Sequence, residues 1–307
     1  MKAFSSEFQA FFLEKYDTLE VQAALWIEYV VVRAFLSALA AIPYPGSLRT
    51  IRTLSRFLYV GSRILKRRIR NNLRIAFGDE LAPGKTEDVV KGAFETLGRH
   101  AVEFSQMVRR RDRGFVMENP EILREAYERG KGVVLVSAHL GCFAKLVLVP
   151  PLLGLPASVI MKKQRNRLLQ QWVVGLMKRH FGVDVLLKKT AADYVGSELL
   201  RGRVVGFFAD QRPRGGGVPA SFFGHRVDVP SGPAVCAKRY GSPVVVITLR
   251  SGAKGHHVAR LEGPLSSEGS LEDISQRWVD VVERRIRENP GEWMWMHRRW
   301  RPEGERG

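Results

Sequence analysis

Cysteine is nearly absent: Cys142 and Cys236 are the only two in 307 residues. Two thiols make no disulfide framework, and no Cys/His cluster has zinc-ligand spacing, so a stapled scaffold and a zinc module are both excluded. Nothing in that usage points to an oxidising compartment. Acidic residues are also scarce beside basic ones, 31 Asp+Glu against 49 Lys+Arg. The resulting formal charge of +18 draws polyanions: nucleic acid, an anionic bilayer face or an acidic carrier protein. Repeats, low-complexity tracts and clear linkers are lacking. With 45% hydrophobic residues, wholesale disorder is excluded and one compact unit with a real core is the economical organisation. Residues 1–20 carry Phe4, Phe8, Phe11, Phe12 and Tyr16 in an amphipathic pattern, without the basic n-region and A-x-A site of a signal peptide. A charge-free run of twenty apolar residues is also missing. The candidate, residues 22–42, holds Glu28 and Arg33, which disfavour a full span and suit a helix lying in the interface or docked between membrane and core. An ordinary buried first helix is the plainer alternative.

What is present begins after the helix-breaking Pro43, Pro45 and Gly46. Residues 47–76 interleave Arg49, Arg52, Arg56, Arg63 and Arg67 with Ile51, Leu54, Phe57, Leu58 and Ile64. That is a basic amphipathic helix pair, suited to a membrane surface or a polyanion. Residues 85–110 read as another helix, with Arg99, His100 and Glu103 near its end and the basic run 109–113 at its exit. From about residue 115 short apolar runs alternate with helical patterns. Strands are expected at 132–137, 157–161, 183–187, 204–209, 243–250 and 256–263. Helices are expected at 119–130, 168–181, 190–201, 232–240 and 271–289, with a hairpin or loop at 221–230. Such alternation argues an α/β fold, a mixed, largely parallel central sheet flanked by helices, with a helical N-terminal membrane-facing region. The division expected is 1–78 for that region and 79–307 for the α/β part. No known nucleic-acid motif is present, and the basic residues alternate with apolar faces, so a bilayer suits the charge better than nucleic acid.

The chemistry-bearing residues gather at strand ends. In GVVLVSAHLGCF (132–143) a buried apolar run ends at His139, followed by Gly141, which allows a sharp turn. Ligands of open α/β sheets bind beyond the carboxyl ends of the strands, so His139 stands where a general base would; a plain loop hydrogen bond is the other reading. VVGFFADQRPRGGGV (204–218) puts Asp210 and Gln211 at the same address, followed by Arg212, Arg214 and a glycine run suited to phosphate oxygens. Gly232 opens a helix whose N-terminus could receive an anionic oxygen. Cys142 reads as a buried filler rather than a nucleophile. Taken alone, Trp293, Trp295 and Trp300 beside His297, Arg298 and Arg299 read as an interfacial aromatic belt.

Several of these blocks resemble, in collinear order from about residue 60 to 301, the bacterial lipid A late acyltransferases and the related phosphatidylinositol mannoside acyltransferases. IRNNLRIAFGD (69–79) resembles the signature before the catalytic half, and SAHLGCF (137–143) the first acyltransferase motif. Asp210-Gln211 resembles the acidic strand end, PSGPAVCAKRYGSPVVV (230–246) the third block, and NPGEWMWMHRRW (289–300) the closing signature. The resemblance implies transfer of an acyl chain from acyl carrier protein or acyl-CoA to a hydroxyl of a lipid acceptor. It implies no cofactor or metal. The net charge and the helices at 22–76 lead to the expectation of peripheral or monotopic attachment to anionic lipid at the cytoplasmic face of the inner membrane. His139 would be the base and Asp210 part of the catalytic set. Gly141, Arg179, Gln211, Arg212, Arg214, Gly232, His297, Arg298 and Arg299 would bind substrate. The family motif places an Asp or Glu five positions after the His; here that position is Ala144. Three readings are open. The acid was removed by substitution, leaving slow or no turnover; another carboxylate, Asp210 or Glu103, orients His139; or the chain binds lipid without catalysis.

Overall fold

A computed structural model describes residues 19–109, 114–187, 191–213, 215–252 and 256–300. Four helices come first: α1 (Leu19–Ala41), α2 (Tyr44–Gly61), α3 (Arg63–Phe77) and α4 (Pro83–Arg109). Then follow β1 (Phe115–Glu118), α5 (Glu121–Glu128), β2 (Val133–Ser137), a 3-10 turn (Phe143–Leu148) and α6 (Val149–Leu152). The middle runs β3 (Ala157–Met161), α7 (Arg167–Phe181), β4 (Val183–Leu187), α8 (Ala191–Leu200) and β5 (Val204–Phe208). The remainder is β6 (Gly217–Phe222), β7 (His225–Pro230), α9 (Gly232–Tyr240), β8 (Val244–Ser251), β9 (His257–Leu265) and α10 (Leu271–Glu288).

Seven strands form one sheet in the order β1-β9-β8-β2-β5-β3-β4, parallel except where β9 runs against β8. The fold is therefore α/β with a mixed, largely parallel sheet between helices. β2, in the middle, is buried at every residue, as a strand covered on both faces must be. Strand β1 was not anticipated, because FVME is only four residues long and Val116 is exposed. The segment at 221–230 proves to be a full antiparallel hairpin, β6 with β7, held against α10 where Gln276 accepts from Ser221 N at 2.7 Å. Residues 1–18 and 110–113 of the N-terminal and basic segments lie outside the described residues.

The α3 helix is the inner member of the N-terminal group. Its Ile69, Leu73, Ala76 and Phe77 join the main core, and Asn72 Nδ2 donates to the carbonyls of Trp295 and His297 at 2.7 and 2.8 Å. The α1 helix differs: among its residues only Leu25 and Leu39 are buried. It is long and apolar enough to cross a membrane, yet Glu28 and Arg33, the charges in its middle, find partners within the protein. Glu28 accepts from Asn166 Nδ2 at 3.2 Å, while Arg33 donates to Tyr29 and lies over the Trp172 ring, 4.8 Å from its centre. Trp26, Ile27, Val31 and Phe35 are left exposed, as are Phe57, Leu58, Val60 and Ile64 across α2 and α3.

Candidate active site

Strands β2 and β5 are neighbours in parallel register, with Ser137 opposite Phe208. His139 and Asp210 each stand two residues beyond those partners, so equal overhangs at the carboxyl edge bring them together. The ladder continues one step further, Ala209 N donating to Ser137 O at 2.9 Å. His139 Nδ1 lies 2.7 Å from Asp210 Oδ1, and His139 N donates to Oδ2 at 3.0 Å. Trp293 Nε1 donates to the same Oδ2 at 2.8 Å. Burial pushes the Asp210 carboxyl upward, but the imidazole and these donated hydrogen bonds outweigh it and hold its pKa below the ordinary value. For His139 burial works downward, and the Asp210 carboxylate overcomes it, so the pKa stands above the ordinary value. An ionised Asp210 keeps the proton on Nδ1. Nε2 is then the free nitrogen of a ring whose side chain is 17% exposed.

The turn after His139 admits only glycine at 141. Its φ is +57°, and a Cβ there would lie 2.4 Å from Leu249 O. Gly141 N donates to Glu292 O at 3.0 Å and Met294 N to His139 O at 3.1 Å, so the closing segment, remote in sequence, clamps the loop that carries the imidazole. Phe143 and Phe208 flank the ring, with centroids 4.6 and 5.2 Å away, and His100 packs on Phe143 at 4.6 Å. Burial, with His139 adding to it, pushes the His100 pKa down to about 4.

Of the residues expected to form the site, His139, Asp210 and Gly141 meet as described, although Gly141 acts through the backbone. Ala144 lies half-buried in the 3-10 turn. Of the readings left open for the position of Ala144, the geometry favours another carboxylate beside the base: Asp210, on the neighbouring strand, lies 2.7 Å from the imidazole. Glu103 is not the partner; it accepts from Tyr44, pairs with Lys145 Nζ at 2.5 Å and lies 3.0 Å from His257 Nε2. Burial raises its pKa, but His257 and then Lys145 pull it down to about 2. Glu103, Cys142 and His257 each bring a donor within 4.8 Å of the others. The Lys145 ammonium already balances that carboxylate, and burial first, then Glu103, pushes the Cys142 thiol up to about 12, so the set suits a dication poorly.

Gln211 reaches Met294 Sδ at 3.8 Å, and Arg212 is half-buried in the loop beyond β5. Gly232 opens α9 at the carboxyl edge, where a Cβ would press within 3.1 Å of Phe207, so the glycine serves close packing. Arg214 lies outside the described residues. Arg179 does not join the site. In the β3–α7–β4 crossover the helix runs back against the strands, which puts its last turn at the amino edge, where neighbouring Lys178 pairs with Asp184.

The tryptophans are not an exposed belt. Trp293, Trp295 and Trp300 are 2%, 0% and 8% exposed and pack with Phe77, Phe222 and Phe223. Arg299 is buried over the Phe222 ring and donates to Asp228 O at 3.0 Å, burial pushing its pKa down to about 10. His297 is half-buried beside the site; burial, its largest influence, lowers its pKa although Asp210 works the other way. Arg298 is exposed. Sequence reasoning missed Trp293 as a donor to Asp210, and the Phe143–Phe208 collar. Only the aromatic spacing of the closing segment hinted at the first.

The profile of the family described as bacterial lipid A biosynthesis acyltransferase matches residues 15–302. The chain is also 24% identical, over 308 residues, to the lipid A biosynthesis lauroyltransferase of Escherichia coli (strain K12), with 95% of this chain and 97% of that protein covered.

Proposed function

Because the chain belongs to the bacterial lipid A biosynthesis acyltransferase family, we propose that it moves a fatty acyl chain from a thioester to a lipid hydroxyl with His139 as general base. The observation that carries this reading is the 2.7 Å contact between His139 Nδ1 and buried Asp210. In the proposed step the acceptor hydroxyl passes its proton to His139 Nε2 while its oxygen attacks the thioester carbonyl. The C–O ester bond forms, the C–S bond breaks, and the leaving thiolate takes the proton back from Nε2. Asp210 stays ionised throughout and stabilises the imidazolium. The reading without catalysis rests on Ala144; the contact of Asp210 with His139 supports the catalytic reading over it.

The +18 charge supports an anionic donor carrier, either acidic acyl carrier protein or polyphosphorylated coenzyme A. Acyl carrier protein is favoured, since a whole acidic protein responds to the whole field. The acceptor proposed is a lipid A precursor, a lysophospholipid or a glycolipid, the first favoured by the lipid A biosynthesis of the relative's name. Exposed apolar residues of α1–α3, interspersed with exposed Arg52, Arg56, Arg63 and Arg67, support peripheral or monotopic attachment to the cytoplasmic face of the inner membrane. The test of function is thioester release with acyl carrier protein or CoA donors and a lipid acceptor, comparing the chain with His139→Ala. A fall of about two to four orders of magnitude is expected from the loss of a general base. An unchanged rate would overturn the assignment.

A further inference from the structure

The oxyanion that acyl transfer creates needs a hydrogen-bond donor, and three backbone N–H groups around the base are already engaged. His139 N donates to Asp210, Gly141 N to Glu292 O and Met294 N to His139 O. A side chain can take their place, and α4 brings one. Gly92, Thr96 and His100 follow one another at four-residue steps, so they share one face of that helix. The face presses on the closing segment: a Cβ at Gly92 would lie 3.1 Å from Gly291 Cα, and Thr96 Oγ1 donates to Gly291 O at 3.2 Å. One turn further on, Glu103 pairs with Lys145 of the 3-10 turn at 2.5 Å. His100 is held between these two anchors, its ring against Phe143.

The sheet order sets the side on which it stands. Asp210 ends β5, to one side of β2, and lies against His139 Nδ1. Strands β8 and β9 lie to the other side, and α4 reaches them through Glu103, 3.0 Å from His257 at the start of β9. Nε2 is the ring nitrogen turned away from β5, and α4 stands on that far side. The His100 and His139 centroids are each 4.6 Å from that of Phe143, so the two imidazoles are at most twice that apart. A hydroxyl oxygen stands about 2.6–3.2 Å from its base and an oxyanion about 2.7–3.1 Å from its donor, so one thioester carbonyl fits between them. Among the described residues none is hydrogen-bonded to the His100 imidazole, and neither of its nitrogens is sealed from solvent, unlike those of His257. Burial, with His139 adding to it, holds the His100 pKa down to about 4, so at neutral pH the ring is an uncharged donor of one N–H.

We propose that His100 is a second catalytic residue, whose N–H donates to the thioester carbonyl oxygen while His139 takes the acceptor's hydroxyl proton. The proposal rests on the acyl-transfer reading above and deepens it by naming the oxyanion donor. As the acceptor oxygen bonds to the carbonyl carbon, an electron pair of the C=O bond moves onto its oxygen. The His100 N–H stabilises that charge by a hydrogen bond and keeps its proton. The pair returns as the C–S bond breaks, and the leaving thiolate takes its proton from His139 Nε2. Such a donor binds the oxyanion better than the ground-state carbonyl, so its effect falls on kcat.

The experiment measures kcat and KM of thioester release by the full chain, His100→Leu and His100→Gln, with whichever of lauroyl-acyl carrier protein and lauroyl-CoA wild type cleaves faster. Leucine fills the place beside Phe143 without a donor, and glutamine restores an N–H at the end of the side chain. His100→Leu should lower kcat by about two to three orders of magnitude, with KM within about threefold of wild type. His100→Gln should recover at least about tenfold of that loss, whereas a role in packing alone would favour the leucine. The acid limb of kcat/KM belongs to His139 and should keep its pH in both variants. A His100→Leu kcat within about threefold of wild type would overturn the proposal. So would a glutamine variant no faster than the leucine one, or an acid limb that moves with residue 100. Should wild type cleave neither donor, the acyl-transfer reading fails instead. The donor is then read from binding of the ketone analogue of lauroyl-CoA, in which a methylene replaces the sulfur, against the dodecyl thioether of CoA, which lacks the carbonyl. The wild-type preference for the ketone should fall about tenfold in His100→Leu, and an unchanged preference would overturn the proposal.

Discussion

Asp210→Asn, made beside Ala144→Glu, asks which residue orients the imidazole. The carboxylate accepts three N–H groups: His139 Nδ1 at 2.7 Å, His139 N at 3.0 Å and Trp293 Nε1 at 2.8 Å. An asparagine offers one oxygen and turns an NH2 group toward the remaining donors. With the oxygen toward Nδ1, the NH2 group opposes the backbone N–H and the indole. With the amide reversed, Nδ1 must accept, and the ring proton moves to Nε2, where the base needs its lone pair. In a serine hydrolase the same change costs about four orders of magnitude in turnover through the wrong tautomer. That corresponds to about 5.5 kcal/mol of transition-state stabilisation. A loss of this size is expected in thioester release, with KM little changed because the carboxylate acts on the base. The buried N–H groups that lose their acceptor each cost about 1–3 kcal/mol of stability, so the variant is assayed below its own Tm. The base works only when neutral, so kcat/KM rises with pH through the His139 pKa. Asp210 holds that pKa above the ordinary value, and in Asp210→Asn the residual activity should show the limb at lower pH. Ala144→Glu should stay within about threefold of wild type, since the partner place is taken. An Asp210→Asn rate within tenfold of wild type would refute the reasoning. So would a gain of two orders from Ala144→Glu, which would return the orienting role to the position after the imidazole.

Two further outcomes follow from charge and burial. The double change Arg52→Ser, Arg56→Ser removes two exposed cations worth about 1 kcal/mol each near an anionic bilayer. Cosedimentation with phosphatidylglycerol vesicles at low salt should weaken about thirtyfold; unchanged binding would count against α2 as a membrane-facing helix. His100 is held neutral in the fold to about pH 4, whereas in the unfolded chain it takes a proton near its ordinary value of 6.5. Stability should therefore fall as pH drops from 6.5 to 4, by about 3 kcal/mol from this group. Urea unfolding of His100→Gln should lose that part of the pH dependence, and an unaltered profile would show that His100 is already charged in the fold.

The order and type of the elements were legible in the sequence because each rests on a local signal. VVLVS, ASVIM, VDVLL and VVGFF are short apolar runs bounded by turn residues, and they form strands β2–β5 nearly as read. His139 and Asp210 were legible as strand-end residues for the same reason. Their pairing was not. A strand run carries no mark of its neighbour in the sheet, so nothing in the chain says that β2 lies beside β5 in the register that equalises their overhangs. The motif count to Ala144 pointed to a local partner five residues on, whereas the contact spans 71 positions. Only the fold supplies that. Trp293 shows the same limit, since an indole in an aromatic, basic segment reads equally as an interfacial anchor or as a buried donor. Burial decides, and burial depends on where the rest of the chain packs. Arg179 shows it from the other side: its charge was visible in the sequence, but which edge of the sheet it occupies depends on the helix running back against β3 and β4. Residue type and local period are properties of the chain, while partner, register and edge are properties of the packed sheet.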